Sequence, residues 1–94
     1  MFDLKKELYY NLANLNYLNG DYESAIENYG KALKNQDREQ DAQTLYNLGN
    51  IFKEMGELTK AKNSYQNALK IQPNHINAHY NLALLFKVLG LSLI

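Results

Sequence analysis

Apolar residues along this chain recur at intervals of three and four, the spacing that lines one face of a helix, and the runs are punctuated by glycine. Leu45, Leu48, Ile51, Phe52 and Met55 form one such stripe, Gly56 interrupts it, and Leu58, Ala61, Tyr65, Ala68 and Leu69 form the next. A stripe, a glycine and a second stripe predict a helical hairpin. Gly20 stands in the same relation to its flanking runs, and both glycines mark a reversal that needs a left-handed backbone, which glycine adopts without steric cost. Asp21 is placed to cap the helix that follows, and Pro73, which has no amide hydrogen, ends the second hairpin. The pattern predicts first helices over about 3–19, 40–55 and 75–89 and second helices over 22–35 and 58–71.

The hairpins repeat. Tyr10, Asn11, Leu12, Asn14, Gly20, Ala25, Tyr29, Ala32 and Leu33 match Tyr46, Asn47, Leu48, Asn50, Gly56, Ala61, Tyr65, Ala68 and Leu69. Tyr80, Asn81, Leu82, Phe86 and Gly90 begin a third copy. One domain over 1–94 follows, with repeats at 6–41 and 42–75 and a partial repeat at 76–94. The first spacing is longer by two residues, which fall in the loop around Asp37 to Asp41. Small residues keep their own columns, Ala13 with Gly49 and Ala83, Ala25 with Ala61, and Ala32 with Ala68, where helix axes need to come within about 8–10 Å.

Composition narrows the function. Lys plus Arg and Asp plus Glu are ten each, so no net field draws in phosphate backbones or anionic lipid, and neither nucleic acid nor a membrane is expected as a partner. Cysteine is absent, which excludes disulfides, zinc-thiolate sites and thiol nucleophiles and fits a cytoplasmic setting. The first residues, charged and without an apolar run, do not resemble a secretory signal. No nucleophile with its base, phosphate loop or carboxylate pair emerges, so neither catalysis nor a cofactor is expected.

The run Leu45, Leu48, Gly49, Phe52, Gly56, Ala61, Tyr65, Ala68 and Pro73 resembles the tetratricopeptide-repeat signature, with Leu45 in place of the usual tryptophan. The first copy follows with Tyr9 at the tryptophan position, Ala13 for the glycine, Asn16 where an aromatic is usual, compensated by Tyr17, and Asp37 for the proline. The third contributes His79, Leu82, Ala83, Phe86 and Gly90. The resemblance covers about two and a half repeats and implies an all-α, right-handed superhelical stack of antiparallel hairpins. It also implies that the first helices line a concave groove that holds an extended or helical segment of another protein. Some relatives clamp a chaperone's terminal carboxylate with two asparagines and three basic residues. The matching positions here are Tyr10, Asn14, Asn47, Asn77 and Asn81, so the charge-assisted bonds of such a clamp are missing.

Asn11, Asn47 and Asn81 share one offset on the first helices, and Asn14 and Asn50 form a second row that Leu84 breaks. A ladder of amides can bind a peptide backbone, since each offers a donor and an acceptor. Against that stands abundance, because thirteen asparagines fill many columns. Tyr10, Tyr46 and Tyr80 flank the ladder, with Tyr17 and Lys53 beside it, as contact surface or as packing between helices. His75 and His79, four apart, have zinc-ligand spacing but no third ligand, and read instead as a helix start and a partly buried packing residue. Asp37, Glu39 and Asp41 lack the glycine and glutamate of a calcium loop.

The end of the chain is unusually apolar for a terminal helix of a repeat array. Leu85, Phe86, Leu89, Leu91, Leu93 and Ile94 therefore form a candidate surface for self-association, and homo-oligomerisation through this helix is the rival to peptide binding. A regulatory arm of a larger enzyme is the other rival.

Overall fold

The computed structural model of this chain describes residues 4–33 and 38–90. It contains five helices, α1 (Leu4–Leu18), α2 (Tyr22–Ala32), α3 (Arg38–Glu54), α4 (Leu58–Ile71) and α5 (Ile76–Leu89), with no strand among the described residues. The other elements agree with the expected ones to within two residues at each end, whereas α2 ends at Ala32 with Leu33 as its cap, short of the expected 35, which lies outside the described residues. α1 pairs with α2 and α3 with α4, and α5 stands on the second hairpin as the opening of a third.

The reversals follow from the residues placed at them. Gly20 has φ +76° and Gly56 φ +79°, and in both hairpins the amide two residues after the last helical turn bonds back to a carbonyl of that turn. Asp21 accepts from the Ser24 amide at 3.2 Å, which satisfies one of the unpaired donors at the start of α2. At the other end of the second hairpin, the Arg38 guanidinium donates to the Ile71 carbonyl at 3.2 Å, so α3 supplies a donor to the last turn of α4.

Two apolar clusters hold the stack together. Ala13, Ala25, Tyr29, Leu48 and Ile51 join α1, α2 and α3, while Ala61, Tyr65 and Leu85 join α4 and α5. The small-residue columns carry these contacts: Ala13, Ala25, Ala32, Ala61 and Ala68 are fully or almost fully buried. Ala83 departs from the expectation and is exposed, because the second-helix tyrosine that packs on its counterparts Ala13 and Gly49 has no equivalent against α5 among the described residues. Tyr17 does replace the missing aromatic of the first copy, packing on Tyr22 with ring centroids 5.9 Å apart. Asn16 itself accepts from the Asn28 side chain at 2.8 Å and pins the first hairpin.

The candidate binding cleft

The repeat-matched asparagines and tyrosines meet as a polar seam that runs from hairpin to hairpin. Tyr29, on α2, donates its hydroxyl to Asn14 of its own hairpin and receives the amide of Asn47, from the next, at 3.3 Å. The second hairpin repeats the first half of this unit: Tyr65 donates to Asn50 at 2.5 Å. Asn81, the counterpart of Asn47, reaches Tyr46 at 2.9 Å and Asn50 at 3.4 Å. Asn14, Asn47, Asn50 and Asn81 are thus engaged within the stack, and what periodicity suggested as an open ladder is largely an internal one. Asn11 is the exception. It is exposed and has no side-chain hydrogen bond among the described residues, none of which stacks a tyrosine on that face of α1 as Tyr29 stacks on Asn47.

Burial sets the ionisation of these tyrosines. Removal from water disfavours the phenolate, pushing Tyr29 up to about 12 against a partial offset from the Asn47 hydrogen bond, and pushing Tyr65 upward as well. Below pH 10 both hydroxyls are neutral whether the chain is folded or not, so the seam is then at full strength. Above it the unfolded chain loses protons that the folded chain retains, so stability falls as pH rises from about 10 towards 12. Urea midpoints measured from pH 7 to pH 11.5 are expected to hold steady to about pH 9.5 and then drop. Tyr29→Phe, weaker by about 1 kcal/mol at neutral pH, should show a shallower drop, whereas an equally steep one would mean that Tyr29 titrates normally.

Beside the seam lies an open cleft of about 630 Å³ that crosses the first helices. Its walls include Tyr10 from α1, Gln40 and Gln43 from α3, Gln72 just after α4, and His75 and Asn77 at the start of α5. Gln43 links it to the seam, donating to Asn47 at 3.0 Å and lying 3.2 Å from the His75 Nε2. His75 starts α5 as the sequence suggested: its Nδ1 accepts from the Ala78 amide at 3.1 Å, which assigns the proton to Nε2. Its ring stacks on Tyr46 with centroids 4.8 Å apart. His79 does not share that environment. It is exposed, with Nε2 donating to the Pro73 carbonyl, and no group of three or more metal-binding side chains occurs among the described residues.

Of the residues expected to form the groove, Tyr10 lines this cleft, Tyr46 and Asn47 lie one contact behind it, and Tyr80 stands 65% exposed one turn along α5 from Asn77. Tyr17 and Lys53 are elsewhere. Tyr17 packs in the first core cluster, and Lys53 borders a separate apolar cleft of about 400 Å³ with Leu58, Leu84 and Val88. Gln40, Gln43 and Gln72 were not expected there, since they do not recur in all copies, although the glutamines flanking the longer first loop are visible in the sequence.

The terminal surface also differs from expectation. Leu85 is only 2% exposed, because it shares the offset of Ile51 and turns the same face onto the hairpin before it. Leu89 belongs to the same cluster and Phe86 is half-buried, so the large apolar residues that α5 leaves in water are Ile76, Tyr80, Leu84 and Val88. Leu91, Leu93 and Ile94 lie outside the described residues.

Known proteins share both sequence and fold. The family model described as a TPR repeat matches residues 13–56 and 49–90. The chain is 33% identical over 82 residues to the Protein O-mannosyl-transferase tmtc2 of Xenopus laevis, covering 86% of the chain and 10% of that protein. It is 36% identical over 72 residues to the Photosystem I assembly protein Ycf3 of a Synechococcus strain, covering 76% of the chain and 42% of that protein. The crystal structure of MamA superposes with a TM-score of 0.85 at 29% identity, over 93% of this chain and 50% of that one. The first TPR of Spaghetti (RPAP3), bound to the HSP90 peptide SRMEEVD, superposes at 0.51 and 17% identity over 96% and 97%. The chain spans between a tenth and half of the length of the first three.

Proposed function

The chain belongs to the tetratricopeptide-repeat family, whose repeats are protein-interaction modules and not catalytic ones, and from that premise we propose that it holds an extended segment of another protein in the cleft across its first helices. The observation that carries this reading is the cleft itself, open and lined by carboxamides. Amide side chains at this density suit the carbonyls and amides of a peptide backbone, which each of them can meet as donor or acceptor. Tyr10, Gln43, Asn77 and Tyr80 are the contact residues, with Asn47, Asn81 and Tyr46 holding them in place from behind. Asn11, Asn14, Asn50, Tyr17 and Lys53 lie outside it in this reading.

Charge defines the segment further. Among the described residues Glu39 is the one carboxylate on the cleft wall, and no lysine or arginine stands there, so an uncharged or basic segment is favoured over an acidic tail. Among the same residues no helix is long and apolar enough to cross a membrane. The lack of cysteine suits a cytoplasmic setting. The similarity to a transferase over a tenth of its length leaves room for a second reading, an interaction arm within a larger enzyme, which the complete reading frame decides.

Peptides selected from a displayed library of ten-residue sequences, titrated into isotope-labelled chain, should shift the resonances of Tyr10, Gln43, His75 and Asn77. Asn77→Ala combined with Tyr80→Ala, both at exposed positions, should weaken binding by about tenfold with an unchanged melting curve. Shifts confined to the outer faces of α1 or α5, or full affinity in the double variant, would rule out the cleft.

A further inference from the structure

Among the described residues the largest apolar surface left in water is on α1, at the opposite end of the stack from the helix that sequence composition singled out. Leu4, Leu8, Leu12, Leu15 and Leu18 are 72%, 61%, 40%, 58% and 78% exposed and lie along one side of the helix. The repeat explains their chemistry. Leu8, Leu12 and Leu15 share offsets with Thr44, Leu48 and Ile51, all buried where α3 meets the first hairpin, and with Ala78, Leu82 and Leu85 where α5 meets the second. α1 therefore presents, open, the surface that α3 and α5 use for docking. Contiguous apolar area of this extent marks an interaction site on a folded domain.

We infer that this surface is a dimer interface, at which α1 of one copy packs on α1 of a second copy across a two-fold axis near Asn11. Three features point to a second copy. The stripe is laid out almost evenly about its midpoint, with Leu8 and Leu4 on one side of Asn11 and Leu15 and Leu18 on the other, so an antiparallel copy meets leucine with leucine and Asn11 with Asn11. A paired amide in an otherwise apolar contact penalises slipped registers that would bury it against leucine. The charges are complementary too: the basic and acidic residues of α1, Lys5, Lys6 and Glu7, all lie in its first turns, and the antiparallel pair sets them beside the uncharged last turn of the partner helix. Lys5, on the flank of the stripe, then lies near the negative end of the partner's helix dipole.

Size sets the strength. The exposed fractions amount to roughly three whole leucine side chains per copy, which falls short of the roughly 800 Å² per partner of a standard stable interface. A concentration-dependent dimer follows. It closes on itself, unlike a head-to-tail contact of the α1 face with α5, which would extend without limit.

Sedimentation equilibrium of the 94-residue chain from about 5 μM to 1 mM should follow a monomer–dimer curve. Leu8→Lys with Leu15→Lys, at two exposed positions, should move its midpoint by about tenfold or more while the melting curve of the monomer is retained. Because the chain has no cysteine, Asn11→Cys adds an independent reading: on oxidation it should form a disulfide dimer faster than Leu4→Cys, whose residue faces the far end of the partner helix. A mass that stays monomeric throughout overturns the inference, as does a species that grows beyond the dimer. A dimer that survives the lysine pair but is lost on Leu84→Lys with Val88→Lys assigns the interface to α5 instead and equally overturns it. None of these variants touches the cleft, so peptide binding there is read separately.

Discussion

Tyr65→Ala is expected to remove most of the stability of the fold. The ring is fully buried, belongs to the cluster that joins α4 to α5, packs against Tyr46 at 5.8 Å between centroids, and lies against Gly49 of α3. Truncating a buried aromatic to alanine costs about 3–5 kcal/mol through lost transfer energy and the cavity left behind. Loss of the hydroxyl leaves the part-buried Asn50 carbonyl oxygen with only the longer bond from Asn81, at 3.4 Å, and adds about 1 kcal/mol. A domain of this length has in total about 5–14 kcal/mol, and the lower part of that range is expected for a short stack. Urea denaturation followed by far-ultraviolet circular dichroism measures the loss, with Tyr65→Phe as the control that keeps the ring and should cost about 1 kcal/mol. A loss below about 1 kcal/mol for the alanine variant would mean that the second hairpin does not depend on this ring.

Gly49→Ala is the second large effect, and its sign runs against helix propensity. Gly49 sits inside α3, where alanine is better than glycine by about 1 kcal/mol if nothing else changes. A methyl group there would lie 2.5 Å from Tyr65 Cε1 and 2.6 Å from Cδ1, well inside the roughly 3.5–4.0 Å at which carbons touch. The ring has nowhere to retreat, being buried and tied through its hydroxyl to Asn50. Overpacking of this kind costs about 1–3 kcal/mol, and a net loss is expected. Gly30, in α2, offers the contrast. It is exposed, and a methyl group added there would have no atom within 4 Å, so Gly30→Ala should stabilise by about 0.5–1 kcal/mol. Thermal melts of the two variants moving in opposite directions would confirm that packing, and not propensity, decides at Gly49.

The same pair shows where sequence reading stops. Ala13 and Gly49 occupy one column, and both were expected to let helices approach, as both do. That the second hairpin closes too tightly for a methyl group while the first accommodates one depends on the distance between two helices, a quantity no single column encodes. The asparagine ladder divides in the same way. Its periodicity was visible, but whether an amide meets a partner protein or a tyrosine of the neighbouring hairpin depends on what lies across from it. Tyr29 and Tyr46 supply hydroxyls to Asn47 and Asn81, whereas the described residues supply none to Asn11.

The elements, their order and their repetition are legible in the chain alone, because helix stripes, glycine reversals, a proline stop and an aspartate cap act within a few residues of where they are written. So are the small positions of the first two copies, and with them which helices approach, whereas Ala83 in the third is exposed. Which apolar residues remain in water is settled only when the hairpins stack. A stripe encodes that a face is apolar, and burial of that face requires a second surface: α4 provides one for Leu85, which is therefore consumed within the chain. For Leu8 and Leu15 the described residues provide none. The cleft arose in the same manner, from the α3 glutamines and the α5 start, 32 residues apart between Gln43 and His75, brought to 3.2 Å by the stacking of one hairpin on the next.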